Sequence, residues 1–406
     1  MKKTAQTQKI SWLVFLFSII LVLISLVPVV FPAIIQSSDI TTTLNIPKAG
    51  PDQYEIGSLA MPLIIINIIV FSIFVIYKKN KLPKFIESYL KKLTNYEISK
   101  KTSFIVLLVI LGIYIIFTVS ELGVEEKWDD YQGIKIRLSW WNLDQIMRSF
   151  EPHGTYFLLK ASDILFGNYK VIPFLASIAL LLTTYFLTKK ITQKRFAAII
   201  TVIVLLQSKL FLTYDTSVTY SNFWILFYLL SLYLVYRFWP LSPISYLISI
   251  PAKALTIAFL PMSIYFILRS GISKKNKIII TSSTIVIIAV VGIAAMSYSG
   301  GEATQETFEL KEFWIGFTSF SYQLRSDGLV LLFMIPLMIG LFILSKYGVK
   351  HAESIMVLIS GMLLISPILT GFTNQTNQPY RFMPLVVFFA IGVGMLLSKR
   401  TESAKY

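Results

Sequence analysis

Four short polar segments hold most of the side chains in this sequence that could do chemistry. They are residues 128–131 (Trp-Asp-Asp-Tyr), 151–154 (Glu-Pro-His-Gly), 214–216 (Tyr-Asp-Thr) and 378–382 (Gln-Pro-Tyr-Arg-Phe). Each adjoins a long apolar run, and the order of those runs places all four on the same side of the apolar part of the chain. A pair of carboxylates at such a boundary is suited to take the proton from a hydroxyl group beside a lipid-borne substrate.

The candidate general bases are Asp129, Asp130 and Asp215. Trp128 and Tyr131 flank the aspartate pair, and Asp215 stands in a short turn between two apolar runs. Burial near hydrocarbon raises the pKa of a carboxyl group unless a cation or hydrogen bond offsets it, and a raised pKa suits a base. In the competing interpretation, all three aspartates are ordinary loop residues that are exposed to water. The sequence leaves both interpretations open.

Two cations are candidate ligands for a donor phosphate. Lys253 lies between the apolar runs 245–251 and 254–267, where a lysine needs either an anion or a route for its stem to reach water. Arg381 precedes the last apolar run, on the side of the membrane where positive charge is disfavoured. The planar guanidinium fork suits a phosphate. Snorkelling of Lys253 and interfacial anchoring by Arg381 are the alternatives.

Three further residues are candidate substrate contacts, namely His153, Tyr131 and Tyr380. His153 is one of only two histidines in the chain and has no second histidine nearby, so it is a weak indication of a metal site. The sequence contains no cysteine, which excludes disulfides, thiolate metal sites and cysteine nucleophiles. We therefore expect no cofactor and leave a divalent metal open.

The composition predicts an all-α polytopic membrane protein. Hydrophobic residues make up 55% of the 406 residues and charged residues only 14%, which is too few charges to cover a soluble domain. The net charge of +16 is concentrated in the loops 78–101, 189–195 and 274–277. This is the positive-inside pattern of cytoplasmic loops, so it argues against nucleic acid as a partner. It predicts a multi-pass cell-membrane protein with both termini cytoplasmic and the polar segments extracytoplasmic.

The apolar runs predict about ten transmembrane helices. Their approximate limits are 11–35, 59–77, 103–119, 171–188, 196–213, 219–236, 278–297, 328–345, 353–371 and 383–398. Residues 240–269 are too long for one crossing and too short for two, so we expect a broken pair of short helices that borders the site. We expect two amphipathic helices on the membrane surface, at residues 132–149 and 152–166, and an interfacial helix at residues 313–317.

Taken together, these positions resemble the multi-pass glycosyltransferases of the GT-C fold, in the branch that contains protein O-mannosyltransferases and the lipid A aminoarabinose transferase. The family has an acidic pair followed by tyrosine in its first outer loop, similar to Asp129-Asp130-Tyr131. The family's later motifs are similar to four further places in this sequence. These are residues 151–156 with the Leu-Phe-Gly turn at 165–167, Asp215, Lys253 with Pro261, and Arg381-Phe382. The resemblance covers roughly residues 103–398 as a catalytic core. Residues 1–102 are then two additional helices with a basic loop, and 399–406 a cytoplasmic tail.

The resemblance implies an inverting glycosyltransferase that uses a polyprenyl-phosphate sugar as donor. Asp129 or Asp130 would deprotonate an acceptor hydroxyl on a glycan, lipid or protein, and Asp215 would orient that acceptor. Lys253 and Arg381 would hold the lipid phosphate. The rival class is a transporter or flippase for a lipid or polar solute, which predicts charges at mid-membrane and broken helices in both halves of the chain.

Overall fold

The computed structural model describes residues 2–34, 55–79, 81–148, 153–298, 307–373 and 379–398. Over these residues the chain forms helices joined by short turns and contains no strand, which confirms the predicted all-α fold. Among the described helices, seven are long and apolar enough to cross a membrane, and several shorter apolar helices accompany them. Such long apolar helices are the expected structure in lipid, because a helix satisfies its own backbone hydrogen bonds.

The first four helices include the two that were predicted as additional spans and the start of the predicted core. They are α1 (Lys2–Val30), α2 (Ala60–Lys78), α3 (Lys84–Asn95) and α4 (Lys100–Thr118). Helix α3 is amphipathic and lies in the lysine-rich loop between two apolar helices. Ser99 begins α4 by accepting a hydrogen bond from the backbone N–H of Thr102 at 3.0 Å, which satisfies one of the free donors of a helix start.

Three helices follow in the segment where the sequence predicted two. They are α5 (Asp129–Trp140), α6 (Leu143–Arg148) and α7 (His153–Phe166). The prediction of one continuous helix over 132–149 is wrong, because Asn142 and Gln145 cap the start of a second helix within this range. Each of these side chains accepts a hydrogen bond from the backbone N–H of the other at 2.9 Å, as in a capping box. The break allows α5 and α7 to lie beside one another.

The next apolar runs form α8 (Val171–Thr192), α9 (Arg195–Leu206), α10 (Lys209–Tyr214) and α11 (Phe223–Arg237). The predicted span 196–213 is divided into two helices, α9 and α10. Ser208 begins the second by accepting the Phe211 N–H at 3.1 Å, and its hydroxyl donates to the buried carboxylate of Asp327. The turn between α10 and α11 contains Asp215.

The expected broken pair consists of α12 (Leu241–Ala252) and α13 (Leu260–Arg269), joined by a 3₁₀ turn at Ala254–Phe259. Lys253 interrupts the helices in an extended conformation, with φ −160° and ψ 114°. Pro261 lies in the first turn of α13, where its missing N–H costs no hydrogen bond. The tip of the pair therefore presents Lys253.

The remaining helices are α14 (Lys274–Tyr298), α15 (Leu310–Tyr322), α16 (Gly328–Lys346), α17 (Lys350–Thr373) and α18 (Met383–Leu396). A 3₁₀ turn at Pro379–Phe382 precedes α18. The interfacial helix expected at 313–317 is longer than predicted, and it packs closely on α17. Gly316 makes this approach possible, since an added Cβ would lie 2.5 Å from the Cβ of Thr370.

A buried polar cluster joins α1, α13 and α17. The carboxylate of Glu353 is 1% exposed, forms an ion pair with Arg269, and accepts hydrogen bonds from Ser11 and, at 3.1 Å, from Tyr265. A buried charge is tolerated when a cation and further hydrogen bonds compensate its lost hydration. The cluster therefore fixes the broken pair to the helices behind it.

Candidate functional site

A cavity of about 390 Å³ opens between α5, α7, the turn after α10 and the 3₁₀ turn before α18. This volume falls in the range of small-molecule sites in proteins. Its wall combines a carboxylate, a guanidinium, tyrosine and threonine hydroxyls and a few apolar side chains: Asp130, Gly133, Ile134, Arg137, Thr155, Tyr156, Leu159, Val218, Thr219, Tyr220 and Tyr380. Two of the predicted site residues, Asp130 and Tyr380, lie in this wall.

Asp130 is in the first turn of α5, where carboxylates are favoured by the helix dipole. Its side chain is exposed to the cavity, and its Oδ2 accepts a hydrogen bond from the Tyr220 hydroxyl at 3.4 Å. Asp129 is the residue before it in the same turn, and its side chain lies outside the described part of the structure. Asp130 is therefore a carboxylate of the predicted pair that lines the cavity.

The loop opposite Asp130 is held in place by Glu126. This carboxylate accepts hydrogen bonds from the Ser217 hydroxyl at 3.1 Å, from the Thr219 N–H at 3.3 Å and from the Val218 N–H. Three donors from consecutive residues bind one carboxylate, so the segment before α5 and the turn before α11 have fixed relative positions. Lys170 supports the same segment by donating from Nζ to the Glu121 carbonyl at 3.1 Å.

Four aromatic rings from separate parts of the chain meet at the back of the cavity. Tyr220 stacks on Tyr380 with 4.3 Å between ring centroids and 14° between planes. Trp128 stacks on Tyr214 at 5.4 Å and meets Tyr220 edge to face at 5.5 Å. Such contacts contribute stability beyond the buried area and hold each ring in one orientation. They fix the hydroxyl groups of Tyr220 and Tyr380 at the cavity.

Both predicted phosphate ligands converge on the hydroxyl of Tyr380. Lys253 Nζ donates to Tyr380 Oη at 2.6 Å and lies 4.4 Å from the centroid of the tyrosine ring. The positive charge of Arg381, the next residue in the chain, also acts on the Tyr380 hydroxyl. Neither cation is in the cavity wall, whereas Tyr380 is. The structure thus brings Lys253, Arg381 and Tyr380 together, with the tyrosine on the cavity side.

The start of α7 holds the tip of the broken helix pair. The Thr155 hydroxyl donates to the Ala252 carbonyl at 2.9 Å, and a Cβ added to Gly154 would lie 3.1 Å from the Pro251 carbonyl carbon. His153 is the first residue of α7, so its backbone is at this contact. Its side chain, like Glu151 and Pro152, lies outside the described residues, and its substrate role remains a prediction.

Asp215 lies apart from the cavity. It is 1% exposed; its Oδ2 accepts the Tyr114 hydroxyl at 2.9 Å, and its backbone carbonyl accepts the Ser177 hydroxyl at 2.7 Å. Burial raises the pKa of the Asp215 carboxyl to about 7, the hydrogen bond from Tyr114 opposes the shift, and the negative charge of Glu121 adds to it. Its contacts join α4, α8 and the turn after α10, so Asp215 holds these three parts of the chain together.

Tyr131 is also outside the cavity wall. Its ring is buried in the core with 6% exposure, and Lys135 Nζ lies 5.4 Å from its centroid. Burial raises the pKa of its hydroxyl. In this position Tyr131 anchors α5 against the bundle, so that the preceding Asp130 is held at the cavity.

Among the cavity residues that were not predicted as site residues are Arg137, Tyr156 and Tyr220. Arg137 Nη1 is 3.4 Å from the Tyr156 hydroxyl. Arg137 could have been recognised from its charge, since the predicted topology places it on the side where positive charge is disfavoured. Within the described ranges no group of three or more His, Asp and Glu side chains is arranged to hold a metal ion.

Comparison with protein-family models, with curated proteins and with solved structures finds no match to this chain. The site is defined by its own contacts. It combines a cavity-facing carboxylate, a tyrosine hydroxyl that accepts a hydrogen bond from Lys253 beside the charge of Arg381, and an aromatic wall.

Proposed function

We propose that this protein is a membrane glycosyltransferase of the GT-C kind. It transfers a sugar from a polyprenyl-phosphate donor to an acceptor hydroxyl, with inversion at the anomeric carbon. The observation that supports this most directly is that one cavity is lined by a potential base, Asp130, and by Tyr380, whose hydroxyl is bound by Lys253 and lies in the field of Arg381. A displacement that releases a phosphate requires both a group that accepts a proton and a group that stabilises negative charge.

In the proposed reaction, the acceptor oxygen attacks the anomeric carbon and its proton passes to the Asp130 carboxylate. The bond between the anomeric carbon and the phosphate oxygen breaks, and polyprenyl phosphate leaves. Lys253, Arg381 and Tyr380 stabilise the charge that develops on the leaving oxygen. The stacked rings and the packed loop hold the reacting groups in line, which lowers the entropic part of the barrier.

The proposed topology contains about ten crossings. The seven long apolar helices provide seven of them. Helix α9 with α10, α11 and α14 would provide the other three, while α12 and α13 return to the side from which they start. With the lysine-rich loops in the cytoplasm, the cavity opens at the extracytoplasmic face, where a flipped lipid-linked sugar is presented.

The test is to incubate purified protein in lipid nanodiscs with polyprenyl-phosphate hexoses labelled in the sugar. Release of polyprenyl phosphate together with transfer of label to a hydroxyl acceptor is the expected result. An Asp130→Asn protein, prepared in parallel, shows whether the release depends on the site. Absence of release with every donor and acceptor pair, from protein that binds the donor, would contradict the proposal.

The same preparation tests the flippase alternative. A flippase moves the intact lipid-linked sugar between leaflets without breaking the sugar–phosphate bond. Reconstituted vesicles in which the label changes leaflet but stays on the lipid would favour that class and exclude the transferase.

A further inference from the structure

The hydrogen-bonding pattern of Tyr380 differs from that of a tyrosine that only fills space. Its oxygen accepts a hydrogen bond from the Lys253 ammonium at 2.6 Å, and the positive charge of Arg381 also acts on it. Neither cationic side chain can accept a hydrogen bond in return, since both are donors only. The neutral phenol must therefore direct its own hydrogen to another acceptor.

The cavity is where that hydrogen can meet a ligand. Tyr380 belongs to the cavity wall and Lys253 does not, and the stack on Tyr220 holds the tyrosine ring in place. A phenol polarised by two cations is a strong hydrogen-bond donor, and hydrogen bonds to an anion are the strong ones in proteins.

We propose that Tyr380 is the residue that contacts the phosphate, and that Lys253 acts on the phosphate through the tyrosine. Lys253 is then a positioning residue that polarises and orients the hydroxyl. This inference rests on the proposed function in taking a lipid phosphate as the anion. It deepens that function by assigning direct contact to a neutral side chain instead of to the ammonium.

The arrangement has a physical advantage at a membrane surface. An ammonium placed directly in the cavity would be strongly hydrated and would have to lose water each time a donor bound. The Tyr380 phenol has less hydration to lose, and its oxygen and ring already replace part of the hydration of Lys253. The site can therefore bind an anion without first dehydrating a free cation.

A double-mutant cycle separates this arrangement from direct binding by Lys253. The variants are Tyr380→Phe, which keeps the ring and its stack, Lys253→Met, which keeps most of the stem, and the two together. The measured quantity is the affinity of protein in nanodiscs for polyprenyl phosphate, with uncharged polyprenol as the matched ligand. Each single substitution is expected to weaken binding of the phosphate about 10- to 100-fold and to leave polyprenol binding unchanged.

The decisive comparison is the double variant. If Lys253 acts through Tyr380, the double variant binds about as weakly as the weaker single variant, because the two residues form one unit. Losses that multiply would mean that Lys253 contacts the phosphate independently, and would overturn the inference. Wild-type affinity in a folded Tyr380→Phe protein would overturn it as well.

Lys253→Arg provides a second route if Lys253→Met does not fold. It keeps a donor and a charge, so it should preserve most of the binding when Tyr380 is present. In the Tyr380→Phe background it should restore none, and restoration there would overturn the inference.

Inorganic phosphate is the competitor that distinguishes a lipid phosphate from a free phosphate as the bound anion. Full displacement of polyprenyl phosphate by inorganic phosphate at matched concentration would exclude a lipid as the source of the anion.

These measurements require no turnover, so the two proposals can fail separately. If the protein prefers polyprenyl phosphate to polyprenol and shows the non-additive cycle but never releases sugar, the role of Tyr380 stands and the transferase function fails. If it releases sugar but the losses of affinity in the cycle multiply, the transferase function stands and the role of Tyr380 fails. A wild-type protein with equal affinity for polyprenol and its phosphate would overturn the Tyr380 assignment.

Discussion

At the scale of single residues, two of the predicted catalytic acids, Asp130 and Asp215, have opposite environments. Asp130 is exposed to the cavity and near the Tyr220 hydroxyl, whereas Asp215 is buried and holds three parts of the chain together. A base must reach its substrate, so exposure to the cavity favours Asp130 for chemistry. Burial and internal hydrogen bonds favour Asp215 for stability.

Asp130→Asn should lower turnover by about 10²- to 10⁴-fold and leave donor affinity close to wild type. The amide preserves the shape of the side chain but cannot take the proton. Steady-state rates and donor binding, measured on the same preparation, separate the two effects. Glu125→Gln is the matched control, because Glu125 is exposed and paired with Lys135 at 2.7 Å. If Asp130→Asn keeps more than about half of the wild-type rate, Asp130 is not the base.

Asp215 should make stability depend on pH in a defined direction. Its pKa is about 7 in the folded protein and about 3.9 when unfolded, so the folded state binds the proton more tightly. The stability from this proton is fully present below about pH 4 and is lost as the pH rises through about 7. Asp215→Asn cannot ionise. Between about pH 5 and pH 7, wild type should therefore lose about 1.4 kcal/mol per pH unit relative to the variant.

Thermal unfolding in detergent across this pH range tests that expectation. The difference in Tm, wild type minus variant, should fall as the pH rises and level off above about pH 8. A difference that stays constant with pH would show that Asp215 keeps one protonation state throughout.

At the scale of elements, the contact between the start of α7 and the end of α12 positions the tip that carries Lys253. Gly154 fits there because it has no side chain, and Thr155 ties the two helices with a hydrogen bond at 2.9 Å. A change at this contact moves a whole helix end, and Lys253 moves with it. The site is therefore sensitive to packing at residues that touch no ligand.

Gly154→Val should separate α7 from α12. A branched side chain would collide with the backbone at Pro251, and overpacking of this kind costs about 1–3 kcal/mol. The expected results are a lower Tm and weaker binding of polyprenyl phosphate. Gly112→Ala in α4 is the control, since a Cβ added there has no heavy atom within 4 Å. Equal behaviour of the two variants would mean that the α7–α12 contact does not position the site.

The elements were more predictable than the cavity. Apolar runs gave the positions of the long helices because hydrocarbon length and helix rise fix how many apolar residues a crossing needs. The proline-rich stretch around Lys253 predicted the broken helix pair, because it is too long for one crossing and too short for two. Tyr220 and Glu126 could not be assigned from their local sequence, since their roles come from contacts 90 or more residues away along the chain. Capping by Asn142 and Gln145 also escaped prediction, and it divided one expected helix.

At the scale of the whole molecule, the lysine distribution predicts which face is cytoplasmic. The chain has no cysteine, so single-cysteine variants report one position each. Lys92→Cys in α3 and Lys311→Cys in α15 are both exposed positions. In intact cells an impermeant thiol reagent should label Lys311→Cys and leave Lys92→Cys unlabelled until the membrane is permeabilised. The opposite pattern would invert the topology and place the cavity in the cytoplasm.

The packing of α1 has a consequence for how the chain is assembled during synthesis. Ser18 hydrogen-bonds with Ser360 at 3.1 Å, and Ser11 with Glu353; both partners lie 342 residues later in the chain. At about 5–20 residues per second, a ribosome needs roughly 20–70 s to reach them. During that interval Ser11 and Ser18 of α1 lack these partners. Helix α1 is thus made long before α17, and a ribosome stalled before α17 would leave both hydrogen bonds unformed.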